Sequence, residues 1–131
     1  MSVFVDTSAL YALLVGTEQG HAEVAEAFER AAGRGRKLLT SSYVVVETTA
    51  LLQHRIGMPA VRDLHLRILP LLEVEQVSAG LHRKAVERLL REDRRRLSLV
   101  DCASFELMSS RGIAEALTLD EHFQQAGFER I

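Results

Sequence analysis

The fold is set by one stretch near the start of the chain, Val3-Phe4-Val5-Asp6-Thr7-Ser8-Ala9-Leu10. Its three consecutive apolar residues, rich in strand formers, predict a short buried strand that stops at Asp6. The apolar residues from Ala9 to Leu14 predict a helix, for which Ser8 is the expected cap. A buried strand that leads directly into a helix is typical of the first unit of a parallel α/β sheet.

The alternation of strands and helices continues along the whole chain. Further strands are predicted at residues 37–40, 71–77, 116–119 and 128–131. Helices are predicted after Thr17, after Ser41 or Ser42 (residues 44–55), from Pro59 onward (residues 59–69), after Ser78 and after Ser98. This order predicts a parallel sheet with helices on both faces, and such sheets bind ligands beyond the carboxyl ends of their strands.

Length and composition favour a single domain over residues 1–131, with enough apolar residues for a core. The chain has 131 residues, of which 47% are hydrophobic and 26% are charged. Its net charge of −2 gives no global field that would attract a polyanion, so any contact with nucleic acid must come from local basic patches.

Cellular location is predicted from what the sequence lacks. The single cysteine, Cys102, has no internal partner for a disulfide, which fits a reducing compartment. The first residues lack the basic and apolar segments of a signal peptide, and no apolar run approaches the ~20 residues of a membrane span. We therefore expect a cytoplasmic protein with no membrane association.

Four acidic residues occupy positions that matter in such a fold. Asp6 and Asp120 end the first and fourth predicted strands, Glu47 lies on the helix after the second strand, and Asp101 lies in the first turn of the helix before the fourth. Carboxylates gathered at one edge repel one another unless a cation or a proton neutralises them. Because Mg²⁺ and Mn²⁺ prefer oxygen ligands and can activate water, the pattern suits phosphodiester hydrolysis.

Each acid also has a simpler interpretation in terms of local structure. Asp6 is suited to capping the first helix, and Glu47 to the favourable field near the start of its helix. Asp101 is spaced to form a capping box with Ser98, a role that is compatible with a second one in a site. Asp120 suits a turn before the last helix. The order of the four acids together is what favours a site.

The sequence resembles the PIN-domain family, and most closely the VapC-like toxins of type II toxin–antitoxin systems. The resemblance is carried by four blocks in family order, residues 5–10, 40–47, 97–104 and 116–123, the last followed by Ala126-Gly127-Phe128. It implies a three-layer α/β/α sandwich with a mostly parallel central sheet. It also implies a divalent-metal-dependent endoribonuclease. The segment 56–95 matches the family only in its pattern of apolar and polar residues.

The resemblance assigns the catalytic acids of the family to Asp6, Glu47, Asp101 and Asp120, with no departure at these positions. Asp6, Asp101 and Asp120 are the implied metal ligands, for Mg²⁺ or alternatively Mn²⁺. Glu47 would complete the site or orient the attacking water.

Supporting residues and partners are also implied by the resemblance. Ser8 and Thr118 are expected to form hydrogen bonds with the acids or with metal-bound water. The implied partners are an RNA substrate, a small cognate antitoxin that occupies the cleft, and a second copy of the chain in a homodimer.

The strongest basic feature is the run Arg94-Arg95-Arg96, which precedes the helix that carries Asp101. These arginines could contact RNA phosphates beside the cleft, or they could form a solvated loop after a helix end that favours cations. His122 follows Asp120 by two residues and is interpreted as a residue that packs or bonds locally.

Other functional classes fit less well. A phosphoryl-accepting receiver domain would have paired acids after the first strand and a lysine after a late strand, but no lysine follows Lys84. A haloacid-type phosphatase would have a second aspartate where Ser8 stands. Two alternatives remain open, a PIN-fold module that binds RNA or protein without cutting and a housekeeping RNA-processing nuclease.

Overall fold

A computed structural model describes all 131 residues of the chain. Its sheet has five parallel strands in the order β3-β2-β1-β4-β5. The strands are β1 (Ser2–Val5), β2 (Lys37–Ser41), β3 (Glu73–Glu75), β4 (Glu115–Leu117) and β5 (Glu129–Arg130). The helices are α1 (Thr7–Leu14), α2 (His21–Gly33), α3 (Ser42–Arg55), α4 (Met58–Asp63), α5 (Ala79–Glu92), α6 (Leu99–Arg111) and α7 (His122–Gln125). None of the helices combines the length and the apolar character that crossing a membrane requires.

The central strand β1 explains where a ligand can bind. Its apolar residues Val3, Phe4 and Val5 are almost fully buried, as a strand covered on both faces requires. The chain adds β2 and β3 on one side of β1 and then returns to place β4 on the other. The carboxyl ends of β1 and β4 therefore border the point at which the strand order reverses, where parallel α/β folds open a crevice.

Seven helices flank the sheet, which confirms the predicted α/β/α architecture. An aromatic cluster joins the last helix to the central strand. The Phe123 ring of α7 lies 4.9 Å edge-on from the Phe105 ring of α6 and 6.3 Å from the ring of Phe4. This packing fixes α7, and with it the preceding turn that carries Asp120, against the sheet.

Two predicted helix starts are wrong. Asp6, and not Ser8, occupies the N-cap position of α1, although its side chain makes no capping hydrogen bond. The second helix begins at His21 after Gly20, and not after Thr17. Gly20 has a φ of 87°, and a Cβ there would lie 2.9 Å from a methyl group of Leu119. Because L side chains rarely adopt this backbone conformation, glycine is favoured at the residue that precedes α2.

The middle of the chain and the fourth strand also depart from the predicted bounds. The expected helix over 59–69 is divided into α4, a π-helical turn at Leu64–Ile68 and a 3₁₀ turn at Leu69–Leu71. Because the last turn contains Pro70, the third strand is delayed and covers only Glu73–Glu75. The fourth strand ends at Leu117, because the Thr118 hydroxyl accepts a hydrogen bond from the Asp120 N–H (2.9 Å) and forms a turn.

Candidate active site

A pocket of about 410 Å³ opens at the carboxyl edge of the sheet, beside the ends of β1 and β4. It contains all four acids that the sequence singled out. Its lining residues are Asp6, Thr7, Ser8, Tyr11, Glu18, Glu47, Leu51, Arg55, Ser98, Asp101, Leu119 and Asp120. The expected convergence of two strand ends and two helices therefore does occur.

Asp6 lies at the bottom of this pocket and is 3% exposed. Its backbone N–H continues the β1–β4 ladder by donating to the carbonyl of Leu117 (3.1 Å). The hydroxyls of Ser8 (2.9 Å) and Thr118 (3.0 Å) both donate to its Oδ2 atom. These two bonds hold the carboxylate in one orientation.

The same two hydroxyls connect Asp6 to the turn after β4. Ser8 Oγ accepts from the Leu119 N–H (2.9 Å), and Thr118 Oγ1 accepts from the Asp120 N–H (2.9 Å). Each hydroxyl has a single proton, which it donates to Asp6, so the 3.2 Å contact between the hydroxyls is not a further hydrogen bond. The network holds the two strand ends, and thus Asp6 and Asp120, in a fixed relation.

Burial, and after it the nearby Asp101 carboxylate, raise the pKa of the Asp6 carboxyl from 3.8 to about 7. Hydrogen bonds from Ser8, from the Thr7 backbone and from Thr118 oppose this rise only in part. The ionised form of Asp6 is therefore disfavoured in the chain by itself. A cation beside it would remove most of that penalty.

Asp101 both caps a helix and lines the pocket, as the sequence allowed. Its N–H donates to Ser98 Oγ (3.0 Å), and its Oδ2 accepts from the Ser98 N–H (3.2 Å), which forms the predicted capping box of α6. The side chain nevertheless lines the pocket and is 8% exposed. Burial raises the pKa of its carboxyl, and Asp120 contributes to the rise.

Asp120 lies in the turn between β4 and α7, not at the strand end itself. Its Oδ1 accepts a hydrogen bond from the His122 N–H (2.9 Å), which is the turn role that the sequence also allowed. The His122 ring nitrogen Nδ1 lies 2.8 Å from the same oxygen but without hydrogen-bond alignment, and 3.9 Å from Asp101 Oδ2. His122 therefore does contact its neighbours locally, as expected, and it also lies beside two of the acids.

Glu47 approaches the pocket from α3. It is the sixth residue of that helix, so it lies in the second turn, beyond the strongest field of the helix start. The Ser41 hydroxyl caps α3 by accepting from the Val44 N–H (3.2 Å), which fixes the register that turns Glu47 inward. Its carboxylate makes no hydrogen bond or salt bridge with the protein and remains free to bind water or a ligand.

The donor set fits a hard divalent cation. The pocket supplies carboxylate oxygens from Asp6, Glu47, Asp101 and Asp120, and no thiol reaches it, since Cys102 is buried elsewhere. The tightest group of potential ligand atoms, within 4.8 Å of one another, comes from Asp101, Asp120 and His122. Asp6 and Glu47 line the pocket outside this tight group. Oxygen-rich sites of this kind suit Mg²⁺ or Mn²⁺.

The arginine run lies next to the acid pocket but not in it. Arg94 donates to Gln125 Oε1 (2.8 Å), and Arg94 and Arg95 line a neighbouring groove. Ser98 borders both the groove and the acid pocket. Arg94 and Arg95 therefore lie beside the pocket, whereas Arg96 is exposed and lines neither cavity.

Sequence reasoning missed several polar residues of the pocket wall, among them Tyr11, Glu18 and Arg55. Tyr11 lies on α1 one turn after Ser8, and Arg55 lies on α3 two turns after Glu47. These spacings place each residue on the same helix face as a predicted site residue. The helical spacing from Ser8 and Glu47 could therefore have predicted that Tyr11 and Arg55 line the pocket. Glu18 lies in a loop, where no such spacing applies.

Comparison with known protein families identifies the fold. The sequence profile of the PIN domain matches residues 3–129, so the chain belongs to the PIN-domain family. The chain is 37% identical over 130 residues to the 23S rRNA-specific endonuclease VapC20 of Mycobacterium tuberculosis, with 98% of this chain and 97% of the relative covered. The family resemblance of the sequence is thereby confirmed.

Solved structures give the same result. The crystal structure of M. tuberculosis VapC20, described as a sarcin-ricin loop cleaving toxin, superposes with a TM-score of 0.84 at 34% identity over 96% of this chain and 95% of that one. FitAcB from Neisseria gonorrhoeae has a TM-score of 0.71 at 13% identity, over 100% and 96% of the two chains. PAE2754 from Pyrobaculum aerophilum has a TM-score of 0.67 at 20% identity, over 99% and 89%. The last two likenesses concern the fold alone.

Proposed function

We propose that this protein is a divalent-metal-dependent endoribonuclease and the toxin of a type II toxin–antitoxin pair. The observation that carries the proposal is the convergence of four carboxylates in one pocket at the reversal of strand order, with Asp6 buried among them. Similarity over almost the entire length to a 23S rRNA-specific endonuclease supports RNA as the substrate.

The proposed metal ligands are Asp6, Asp101 and Asp120, for Mg²⁺ or Mn²⁺. Their oxygen donors, and the high cost of ionising Asp6 without a cation, support this assignment. A divalent cation held there would make water more acidic and offset the negative charge that develops on the phosphate.

The remaining residues have defined roles in this proposal. Ser8 and Thr118 hold Oδ2 of Asp6, so that the carboxylate faces the pocket in one orientation. Glu47 has no partner in the protein, and it accepts a hydrogen bond from the attacking water and orients it toward the phosphorus. Arg94, Arg95 and Arg96 contact phosphates of the RNA outside the pocket.

The first substrate to test is the sarcin-ricin loop of 23S rRNA, because the similar M. tuberculosis toxin is described as cleaving it. Such a target would place the protein in the cytoplasm. By the same analogy we propose that a small antitoxin occludes the pocket and that the free chain forms a homodimer.

Cleavage of a 23S rRNA fragment that contains this loop tests the activity. We expect cleavage with Mg²⁺ or Mn²⁺, none with a chelator, and none by Asp101→Asn. Asp63→Asn is the matched control, because Asp63 is exposed on α4 and lies outside the pocket. RNA binding without cleavage by a folded wild-type chain would instead favour a non-cleaving PIN module.

Growth after expression of the chain without a partner tests the toxin role. The wild-type chain should arrest growth and Asp101→Asn should not. Cleavage in vitro combined with normal growth would favour a housekeeping nuclease, and equal arrest by both chains would contradict the nuclease-toxin assignment.

A further inference from the structure

Arg55 is the one cation among the residues that line the acid pocket. The other charged lining residues are carboxylates, namely Asp6, Glu18, Glu47, Asp101 and Asp120. Arg55 is the last residue of α3 and is exposed to solvent at the pocket wall. A cation is favourable at the end of a helix and near carboxylates in any case, so the contacts of its N–H donors decide what it can do.

Arg55 does not pair with an acid. It takes part in none of the salt bridges of the structure, although five carboxylates line the same pocket. Its guanidinium carbon instead lies 5.6 Å from the centre of the Tyr11 ring on α1. This cation–π contact restrains the side chain and leaves the guanidinium N–H donors unused.

The geometry points to Arg55 as an RNA-binding residue that contacts a phosphate next to the scissile one, with Tyr11 as the positioning residue that holds its guanidinium at the pocket wall. This inference rests on the proposed nuclease function. An RNA strand that enters the pocket brings negative charge toward five carboxylates, and the proposed metal would offset charge only beside Asp6, Asp101 and Asp120. A planar guanidinium with free N–H donors is well suited to bidentate hydrogen bonding with a phosphate.

Kinetics of RNA cleavage distinguish substrate binding from a structural role. Arg55→Gln should raise KM about tenfold and leave kcat nearly unchanged, since the lost contact lies away from the reacting atoms. The slope of log KM against log salt should fall in magnitude by about one, because one phosphate contact is lost. Arg55→Lys should retain the salt slope but only part of the affinity, since it keeps the charge and loses the planar group.

Two further variants separate charge from position. Arg83→Gln is the matched control, because Arg83 is exposed on α5, forms no salt bridge and lies outside the pocket. It should behave as wild type. Tyr11→Leu should raise KM without changing the salt slope, because Arg55 keeps its charge and loses its support, while Tyr11→Phe should have no effect.

Binding to a fluorescent single-stranded RNA in Mg²⁺ provides a readout that does not depend on turnover. The Asp6→Asn chain is compared with Asp6→Asn/Arg55→Gln and Asp6→Asn/Arg83→Gln by anisotropy. Weaker RNA binding only in the Arg55 variant supports the inference, even if the wild-type chain cuts no RNA. Absence of cleavage by the wild-type chain would refute the proposed nuclease activity alone. Equal KM, salt slope and affinity for the Arg55 and Arg83 variants would overturn the inference and leave the nuclease function intact. Absence of any RNA binding would overturn it as well.

Discussion

Replacing Asp6 by asparagine should make the metal-free protein more stable, although it abolishes the proposed site. Burial and the Asp101 carboxylate raise the pKa of Asp6 from its ordinary value of 3.8 to about 7. The folded chain therefore binds the Asp6 proton more tightly than the unfolded chain does. The stability that this proton contributes is fully present below about pH 4 and is lost as the pH rises to about 7.

The magnitude follows from the two pKa values. The full difference corresponds to about 4 kcal/mol in the free energy of unfolding. At about pH 8 in the presence of a chelator, Asp6→Asn should therefore be more stable than wild type by up to about 4 kcal/mol, and the gain should shrink toward zero near pH 4. Asparagine keeps an oxygen that can accept the Ser8 and Thr118 hydroxyls, so that the packing is retained.

Urea unfolding followed by circular dichroism measures this difference across the pH range. Asp63→Asn serves as the control, because Asp63 makes only an exposed pair with Arg67 at 3.6 Å, which contributes little to stability. Equal stability of wild type and Asp6→Asn at about pH 8 would refute the reasoning that ionised Asp6 destabilises the folded chain. A stability difference between the two chains that does not change with pH would refute it as well.

Three further changes have expected outcomes that follow from individual contacts. Glu47→Gln should abolish RNA cleavage yet change the free energy of unfolding by less than about 0.5 kcal/mol in urea titrations, because the Glu47 carboxylate has no partner in the protein; a large loss of stability would contradict this. Thr118→Val removes one donor to Asp6 and the acceptor for the Asp120 N–H, so Mg²⁺ affinity by calorimetry should fall about 10- to 100-fold, whereas unchanged affinity would argue against a supporting role. Phe123→Ala should cost about 3–5 kcal/mol of stability, because this fully buried ring packs on Phe4 and Phe105, and a cost below about 1 kcal/mol would show that α7 is not held in this way.

The features that could be predicted from sequence are those with a local physical cause. The apolar run before Asp6 identified a buried strand, because a strand covered on both faces must be apolar throughout. The spacing of Ser98 and Asp101 identified the capping box, because both of its hydrogen bonds join residues that lie three positions apart in the sequence. The four acids could be grouped because strand ends and helix starts meet at one edge of a parallel sheet.

The features that were missed depend on contacts between distant parts of the chain. The second helix, α2, begins after Gly20, which has a left-handed backbone conformation and lies close to Leu119, about a hundred residues further along the chain. The end of β4 depends on the Thr118 hydroxyl, which accepts a hydrogen bond from the Asp120 N–H and donates one to Asp6, at the end of the neighbouring strand. No local pattern marks the π-helical turn at Leu64–Ile68 or the placement of Arg55 over the Tyr11 ring.

The measurement that tests the central claim most directly is anomalous diffraction from crystals of the wild-type chain soaked in Mn²⁺. The claim is that the carboxylates at the ends of β1 and β4 form a divalent cation site. We predict an anomalous peak in the acid pocket within coordination distance of Asp6, Asp101 and Asp120, and its loss in Asp6→Asn. A peak held by Asp120 and His122 without Asp6 would contradict the proposed ligand set, and a pocket without any peak at saturating Mn²⁺ would contradict the metal site itself.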